Sequence, residues 1–114
     1  MTTVVAFVLA AACGALARVE AGRRWNRHDG FALGTVIVNV TGSFLLGLLW
    51  NVAPPTLTVL GVGGLGAYTT FSSFARDVAA LGERRQLVLV AVYVVASVAL
   101  GIAAAAAGIW LAES

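Results

Sequence analysis

The sequence predicts an all-α membrane protein with four transmembrane helices, the third of which is broken near its centre. Three observations predict this fold class: long stretches without charged side chains, a proline pair that divides the longest stretch, and arginines confined to two loops. Hydrophobic residues make up 61% of the 114-residue chain and charged residues 11%, with a mean hydropathy of +0.97. A chain of this composition has too few polar side chains to cover a surface that faces water.

The uncharged stretches are long enough to cross a membrane, since about 20 helical residues span a hydrocarbon core of roughly 30 Å. They cover residues 1–17, 30–75 and 86–112. The middle stretch divides at Pro54-Pro55, because paired prolines remove two backbone donors and disfavour helix at the preceding residue. The sequence therefore predicts one domain over residues 1–114. Its predicted spans are residues 3–21, 31–52, 55–82 and 86–112.

The basic residues are all arginines, and four spans place them on one side of the membrane. Four lie near the first loop and three near the third: Arg18, Arg23, Arg24, Arg27, Arg76, Arg84 and Arg85. By the positive-inside rule, loops one and three are predicted to be cytoplasmic and both termini to lie outside. The pI of 9.3 does not indicate a nucleic-acid partner, which needs a basic face on a water-soluble fold.

Polar residues inside the spans form two helical stripes. On the second span Thr35, Asn39 and Ser43 recur every four residues, and on the fourth Tyr93 and Ser97 do the same. Such residues are expected to face a partner helix or a water path rather than lipid. Small and hydroxyl side chains in a stripe also suit helix packing. The primary amide of Asn39 has more donors and acceptors to satisfy than packing needs, which favours the water path.

The third span combines glycines with hydroxyl and aromatic side chains. Gly61, Gly63, Gly64 and Gly66 precede the segment 67–74, Ala-Tyr-Thr-Thr-Phe-Ser-Ser-Phe. Glycine weakens helix and supplies special backbone angles, so a break is predicted between residues 66 and 69. Carbonyl oxygens freed by a break must be buried or line a cavity, and they suit a hard cation.

Ionisable side chains are absent from the span centres, and His28 lies in a loop. This argues against proton-coupled pumping, which normally uses carboxylates or histidines inside the membrane. The sequence also contains no nucleophile paired with a base, no carboxylate pair and no ligand cluster for a catalytic metal. It therefore predicts a protein that is not an enzyme.

Two segments resemble the CrcB/Fluc family of fluoride channels. Residues 34–44, Gly-Thr-Val-Ile-Val-Asn-Val-Thr-Gly-Ser-Phe, resemble the GTLxxNxxGSF segment of that family, and residues 69–74, Thr-Thr-Phe-Ser-Ser-Phe, resemble its TTFSTF segment. Gly14-Ala15 with Arg18, and the stripe from Tyr93 to Gly101, are also similar to the family. The resemblance implies an antiparallel, inverted dimer in the plasma membrane that lets fluoride leave passively and so lowers its cytoplasmic concentration.

The resemblance also implies roles for individual residues. Asn39 matches the pore-lining asparagine, and Phe71 and Phe74 match two phenylalanines whose ring edges face the ion. An aromatic edge is positive, so it can favour an anion without a fixed cation. The hydroxyl donors of the fluoride path would be Ser72, Ser73, Thr35, Tyr93 and Ser97. Arg18 matches an arginine near a water-filled vestibule, where it could concentrate anions; a plain anchor at the end of the span is the alternative.

A structural sodium ion, which is not transported, is also implied by the resemblance. Gly66 and Thr69 match the positions whose backbone carbonyls, from both subunits, hold Na+ at the dimer centre. The family usually has two adjacent glycines here, whereas this sequence has Ala67 as the second residue. The Cβ of Ala67 is expected to restrict the backbone at the break.

The arginine distribution departs from that of many family members, which are homodimers with little charge bias. We therefore expect this chain to need an oppositely oriented, paralogous partner, with an antiparallel homodimer as the default alternative. Two other functions stay open from the sequence. One is a non-conducting partner subunit of a heterodimeric fluoride channel. The other is a small multidrug exporter, although its mechanism needs a carboxylate deep in the first span and Glu20 lies at the end of that span.

Overall fold

The computed structural model describes residues 1–26 and 32–114, with the backbone alone for residues 71–73. Within these residues every regular element is helical, which confirms the predicted all-α class; Asn26 and Ala32 form an isolated antiparallel bridge. The elements are α1 (Thr2–Trp25), α2 (Leu33–Leu48), a π-helical segment π1 (Leu57–Leu65), α3 (Gly66–Tyr68), α4 (Phe71–Glu83) and α5 (Leu87–Glu113).

The described helices present an apolar outer surface. By length and composition α1 and α5 can each cross a membrane, while α2 and the Leu57–Tyr68 segment are apolar but shorter. Large side chains such as Leu16 and Ile102 are about two-thirds exposed, at 70% and 66%. Extended apolar surface of this kind marks contact with lipid or another protein rather than with water. The described residues therefore have the apolar surface and the long apolar helices that the predicted membrane protein needs.

The first two helices end at different residues from those predicted. Helix α1 continues past residue 21 to Trp25, because Glu20 pairs with Arg23 at 2.6 Å and Arg24 at 2.7 Å, and such pairs stabilise a last helical turn. Helix α2 ends at Leu48 rather than residue 52. The Trp50 N–H bonds to the carbonyl three residues earlier, which tightens the chain into a turn before the prolines. The predicted start of this span at residue 31 lies outside the described residues.

The third predicted span is interrupted between Tyr68 and Phe71. Thr69 has extended backbone angles, φ −79° and ψ 158°, and helix resumes at Phe71. None of the described glycines has a positive φ, so the expectation that they supply special backbone angles is wrong. Ala67 likewise lies inside the short helix α3, where a Cβ carries no conformational cost.

The glycines instead permit close contacts between helices. A Cβ at Gly14 would overlap the Gly64 carbonyl oxygen, which brings α1 against π1. A Cβ at Gly108 would overlap the Phe44 carbonyl oxygen, so α5 packs directly on the α2 backbone. Small residues serve this purpose in membrane helices because backbones can then approach closely. These contacts hold α1 against π1 and α5 against α2.

Candidate functional site

The break in the third span is held by the side chain of Asn39 on α2. The Thr70 N–H donates to Asn39 Oδ1 at 2.9 Å, and Asn39 Nδ2 donates to the Thr70 carbonyl at 3.2 Å. These two bonds join both the backbone N–H and the backbone carbonyl of Thr70 to one side chain at the break. The backbone carbonyl of Asn39 accepts a hydrogen bond from Ser43 Oγ at 2.8 Å. The asparagine thus supports the break from the neighbouring helix.

Two further contacts fix the residues before the break. Arg18 Nε on α1 donates to the Ala67 carbonyl at 3.1 Å. The Thr69 N–H and hydroxyl both donate to the Leu65 carbonyl, at 2.9 and 3.0 Å. The chain therefore leaves helical geometry at a point supported from α1, α2 and its own preceding turn.

A groove of about 390 Å³ opens beside the break, and we call it the central groove. Its polar lining residues are Asn39, Ser43, Thr69, Thr70 and Ser97, and Gly66 and Phe74 also line it. Ser97 Oγ is buried and has no hydrogen-bond partner among the described residues. A buried hydroxyl without a partner is costly, so its donor is available to a guest in the groove.

Phe74 lies between the central groove and a buried tyrosine. Its ring stacks on Tyr93, with centroids 5.1 Å apart and planes inclined by 17°. Tyr93 is fully buried, and its hydroxyl donates to Asp77 Oδ2 at 3.0 Å. Because stacking covers one face of the Phe74 ring, that negative face is turned away from the groove that the ring lines.

A second cavity of about 190 Å³ also borders Thr70, and we call it the arginine cavity. Its polar lining residues are Arg18, Arg76, Asn26, Thr35 and Thr70. Asn26 Oδ1 accepts the Thr35 N–H at 3.1 Å, which joins the end of α1 to the start of α2. Thr70 lines both cavities, so both border the break.

Comparison with known proteins identifies the family. The family described as "CrcB-like protein, Camphor Resistance (CrcB)" matches residues 5–109, which is nearly the whole chain. The chain belongs to the CrcB family. The resemblance seen in the sequence is therefore confirmed.

Several relatives of this CrcB family member carry the name of a channel. Fluoride-specific ion channel FluC 2 of Mycobacterium tuberculosis is 47% identical over 85 residues, covering 73% of this chain and 68% of the relative. FluC 2 of Rhodococcus jostii is 41% identical over 105 residues, covering 90% and 92%. Fluoride-specific ion channel FluC of Rhodospirillum centenum is 40% identical over 120 residues, covering 97% and 95%. These names describe an ion channel, which is not an enzyme.

The residues predicted for the site fall into three groups in this CrcB protein. Asn39, Phe74, Ser97, Gly66 and Thr69 line the central groove. Arg18 and Thr35 line the arginine cavity, and Tyr93 lies behind Phe74. The predicted roles of Phe71, Ser72 and Ser73 concern side chains outside the described part of the structure.

Sequence reasoning missed three residues that the structure brings to the site. Thr70 lines both cavities, Arg76 adds a second guanidinium to the arginine cavity, and Asp77 binds the Tyr93 hydroxyl. The sequence does contain a signal for Arg76 and Asp77. Arg76 and Asp77 are the first charged residues after the 46-residue uncharged stretch 30–75, so they mark the charged end of that stretch next to the break.

Proposed function

We propose that this chain is a subunit of a fluoride-selective channel that exports fluoride passively and lowers its concentration in the cytoplasm. One observation carries the proposal: the central groove touches both the break in the third span and the buried Ser97 donor, and its lining within the described residues holds amide, hydroxyl, aromatic and aliphatic groups but no charged side chain. The family match and the names of the relatives also support the proposal.

The central groove has the chemistry that a small anion needs. Fluoride is tightly hydrated, so a path through the membrane must replace part of its water shell with donors. Ser97 Oγ and the second hydrogen of Asn39 Nδ2 are such donors, since only one Nδ2 hydrogen is used at Thr70. The edge of Phe74 adds a weak positive potential. Uncharged donors bind an anion loosely enough for it to leave again, as conduction requires.

Sodium is part of the proposal, with the Gly66 and Thr69 carbonyls as its ligands. The Thr70 N–H is directed to Asn39 rather than to the Gly66 carbonyl, its partner in a continuous α-helix. Gly66 and Thr69 both line the central groove, and carbonyl oxygen suits a hard cation. The donor set therefore fits the ion. A bound sodium ion would supply positive charge and join carbonyl groups of two subunits.

The assembly that we propose is an antiparallel dimer in the plasma membrane, with four spans per subunit. Loops one and three are cytoplasmic and both termini lie outside, because all seven arginines lie near these two loops. A chain with one fixed orientation needs an oppositely oriented partner. The numbered names FluC 1 and FluC 2 among the relatives are compatible with paralogous pairs. We therefore favour a paralogue as the partner over a second copy of this chain.

Reconstitution tests both the activity and the partner. Vesicles loaded with potassium fluoride would contain this chain alone, its neighbouring paralogue alone, or both, and a fluoride electrode would record efflux. We expect fast efflux when both are present. Fast efflux with this chain alone supports the channel but refutes the need for a paralogue, and a homodimer then takes its place.

A single variant controls for leakage through damaged vesicles. Phe71→Ile keeps an apolar side chain of similar bulk but removes the aromatic ring and its positive edge. We expect it to abolish fluoride efflux while the protein still incorporates into vesicles. If neither the chain nor the pair conducts fluoride, or if Phe71→Ile conducts as fast as the unmodified pair, the proposed function is wrong.

A further inference from the structure

We infer that Asp77 is a positioning residue for conduction: its carboxylate ends a buried hydrogen-bond chain that holds the Tyr93 ring behind Phe74. This inference rests on the proposed function, because Phe74 is taken to line the path of fluoride. The two segments that resemble the family end at residue 74, and the names of the relatives assign no role to Asp77.

The hydrogen-bond chain runs across four helical segments. Asn26 Nδ2, at the end of α1, donates to Thr35 Oγ1 on α2 at 3.4 Å. The Thr35 hydroxyl also bonds to the Tyr93 hydroxyl on α5. The Tyr93 hydroxyl donates to Asp77 Oδ2 on α4 at 3.0 Å. Helix α4 is therefore tied to α1, α2 and α5 through one tyrosine hydroxyl.

Asp77 sets the direction of this chain. A carboxylate oxygen only accepts hydrogen bonds, so the Tyr93 hydroxyl gives its hydrogen to Asp77, and its oxygen accepts the hydrogen of Thr35. The Thr35 oxygen in turn accepts from Asn26. Ser97, on the same helix as Tyr93, differs because its buried Oγ has no partner among the described residues. The hydroxyls of Thr35 and Tyr93 therefore hold side chains in place, and their hydrogens are used within the protein.

The Tyr93 ring is held at two points by the same helix. Its face stacks on Phe74, with ring centroids 5.1 Å apart, and its hydroxyl reaches Asp77. Phe74 and Asp77 are three residues apart on α4, so they lie on one face of that helix. Tyr93 is also fully buried, and a packed interior leaves its ring no room to turn away. A shift of the Tyr93 ring is therefore passed to Phe74, which lines the central groove.

The charge of Asp77 favours a positioning role over contact with the anion. A carboxylate that lined the path would repel fluoride, since like charges oppose each other strongly where little water screens them. Asp77 does not line the central groove, and its Oδ2 accepts the Tyr93 hydroxyl instead. Asp77 therefore acts on the path through Tyr93 and Phe74.

Three variants of α4 test the Asp77 acceptor in the conducting reconstituted protein. Asp77→Leu has similar size but accepts no hydrogen bond, and Asp77→Asn keeps an acceptor oxygen. Glu83→Gln is the control, because it removes an exposed acidic charge from the end of the same helix. We expect Asp77→Leu to slow fluoride efflux about tenfold, as misplacement of a functional group does. We expect Asp77→Asn to recover most of that loss and Glu83→Gln to leave efflux unchanged.

Two outcomes of this comparison would overturn the inference. One is equal efflux for Asp77→Leu and Glu83→Gln. The other is equal slowing in both Asp77 variants, because the charge and not the acceptor would then matter.

A double variant shows whether Asp77 acts through Tyr93. Tyr93→Phe removes the hydroxyl and should slow efflux as Asp77→Leu does, and Asp77→Leu added to Tyr93→Phe should slow it no further. Removing both partners also avoids the unpaired buried group that each single variant leaves, so the double variant is expected to fold even where Asp77→Leu does not. If the Tyr93 hydroxyl contacted fluoride itself, Tyr93→Phe would slow efflux but Asp77→Leu, which frees that hydroxyl, would not. That result, or slowing that adds up in the double variant, would overturn the inference.

Fluorine NMR separates this inference from the proposed function, because it needs no conduction. Phe74 is replaced by para-fluorophenylalanine, and the fluorine resonance of the protein is recorded in detergent. We expect one narrow resonance in the protein without further changes and in Asp77→Asn, and a shifted or broadened resonance in Asp77→Leu, since the ring no longer rests on a fixed Tyr93. An identical resonance in Asp77→Leu would overturn the inference. Absence of fluoride efflux from the unmodified assembly would overturn the proposed function and the link to conduction, while the resonance would still decide whether Asp77 fixes Phe74.

Discussion

The side-chain amide of Asn39 brackets the peptide groups of Thr70, accepting its N–H at 2.9 Å and donating to its carbonyl at 3.2 Å. These residues are 31 positions apart and lie on different spans. In a membrane, a backbone that leaves the helix must find partners within the protein, because lipid offers none. Asn39 provides both partners at once. Asn39 therefore stabilises the break and also lines the central groove.

Replacing Asn39 with leucine tests this support. Leucine has similar volume but makes neither of these hydrogen bonds, and the net contribution of each is about 0.5–1.5 kcal/mol. We expect Asn39→Leu to lower the thermal unfolding temperature in detergent clearly, and Asn39→Asp, which keeps an acceptor for the Thr70 N–H, to lower it less. A leucine variant as stable as the wild type would show that the two hydrogen bonds do not hold the break.

Ser97→Ala tests the assignment of a free donor in the central groove. The buried Ser97 hydroxyl has no partner among the described residues, so its removal should leave thermal stability unchanged or raise it. A hydrogen bond to a charged group is worth about 1.5–3 kcal/mol, so losing it along the path should slow fluoride efflux about tenfold or more.

Ser43→Ala is the matched control for that prediction. Ser43 lines the same groove, but its hydroxyl donates to the Asn39 carbonyl at 2.8 Å. We expect fluoride efflux close to wild type for this variant. Equal losses of efflux in both serine variants would mean that hydroxyls in the groove act through general polarity and not through a free donor.

The buried contact between Tyr93 and Asp77 is expected to stabilise the packing of α4 on α5. Tyr93→Phe leaves the carboxylate without its donor and should reduce the free energy of unfolding by about 1.5–3 kcal/mol. Tyr68→Phe is the control, because the Tyr68 hydroxyl bonds to Thr41 in an exposed position and should matter less. A double-mutant cycle with Asp77→Ala measures the coupling, and a value near zero would contradict the prediction.

Glycine at position 108 is expected to be required for the contact of α5 with α2. The added Cβ in Gly108→Ala overlaps the Phe44 carbonyl oxygen, so the helices must separate, and overpacking of this kind costs about 1–3 kcal/mol. Gly82→Ala is the control, since a Cβ there meets nothing within 4 Å. We expect Gly82→Ala to be neutral or stabilising in thermal unfolding. If the two variants unfold at the same temperature, the close approach is not needed.

Part of this fold could be predicted from the sequence because it depends on local properties. The lengths of the uncharged stretches located the apolar segments, and the glycine density before Thr69 located the break within a few residues. The spacing of Thr35, Asn39 and Ser43 placed them on one helical face. These signals need only the helical repeat and the avoidance of charge in lipid.

The rest depends on contacts between distant segments. The π-helical form of residues 57–65 accompanies the close approach of Gly14 to Gly64, which no local pattern reveals. The partner of Asn39 is on another span, and Asp77 turns to Tyr93 although Arg76 is its neighbour in sequence. The special backbone angles expected of the glycines are absent from the described glycines, and the tightest contacts between helices lie at Gly14 and Gly108, which no local pattern singles out.

Passive, electrogenic conduction of fluoride requires a counter-ion path, which can be supplied or withheld in vesicles. Vesicles with the reconstituted protein are loaded with potassium fluoride, diluted into a fluoride-free medium at the same pH, and then given valinomycin. A channel predicts little release until the ionophore provides a path for potassium, followed by rapid and complete release of fluoride, with chloride-loaded vesicles staying closed. Fluoride release that needs a proton gradient instead of valinomycin, or chloride release that is equally fast, would contradict passive and fluoride-selective conduction.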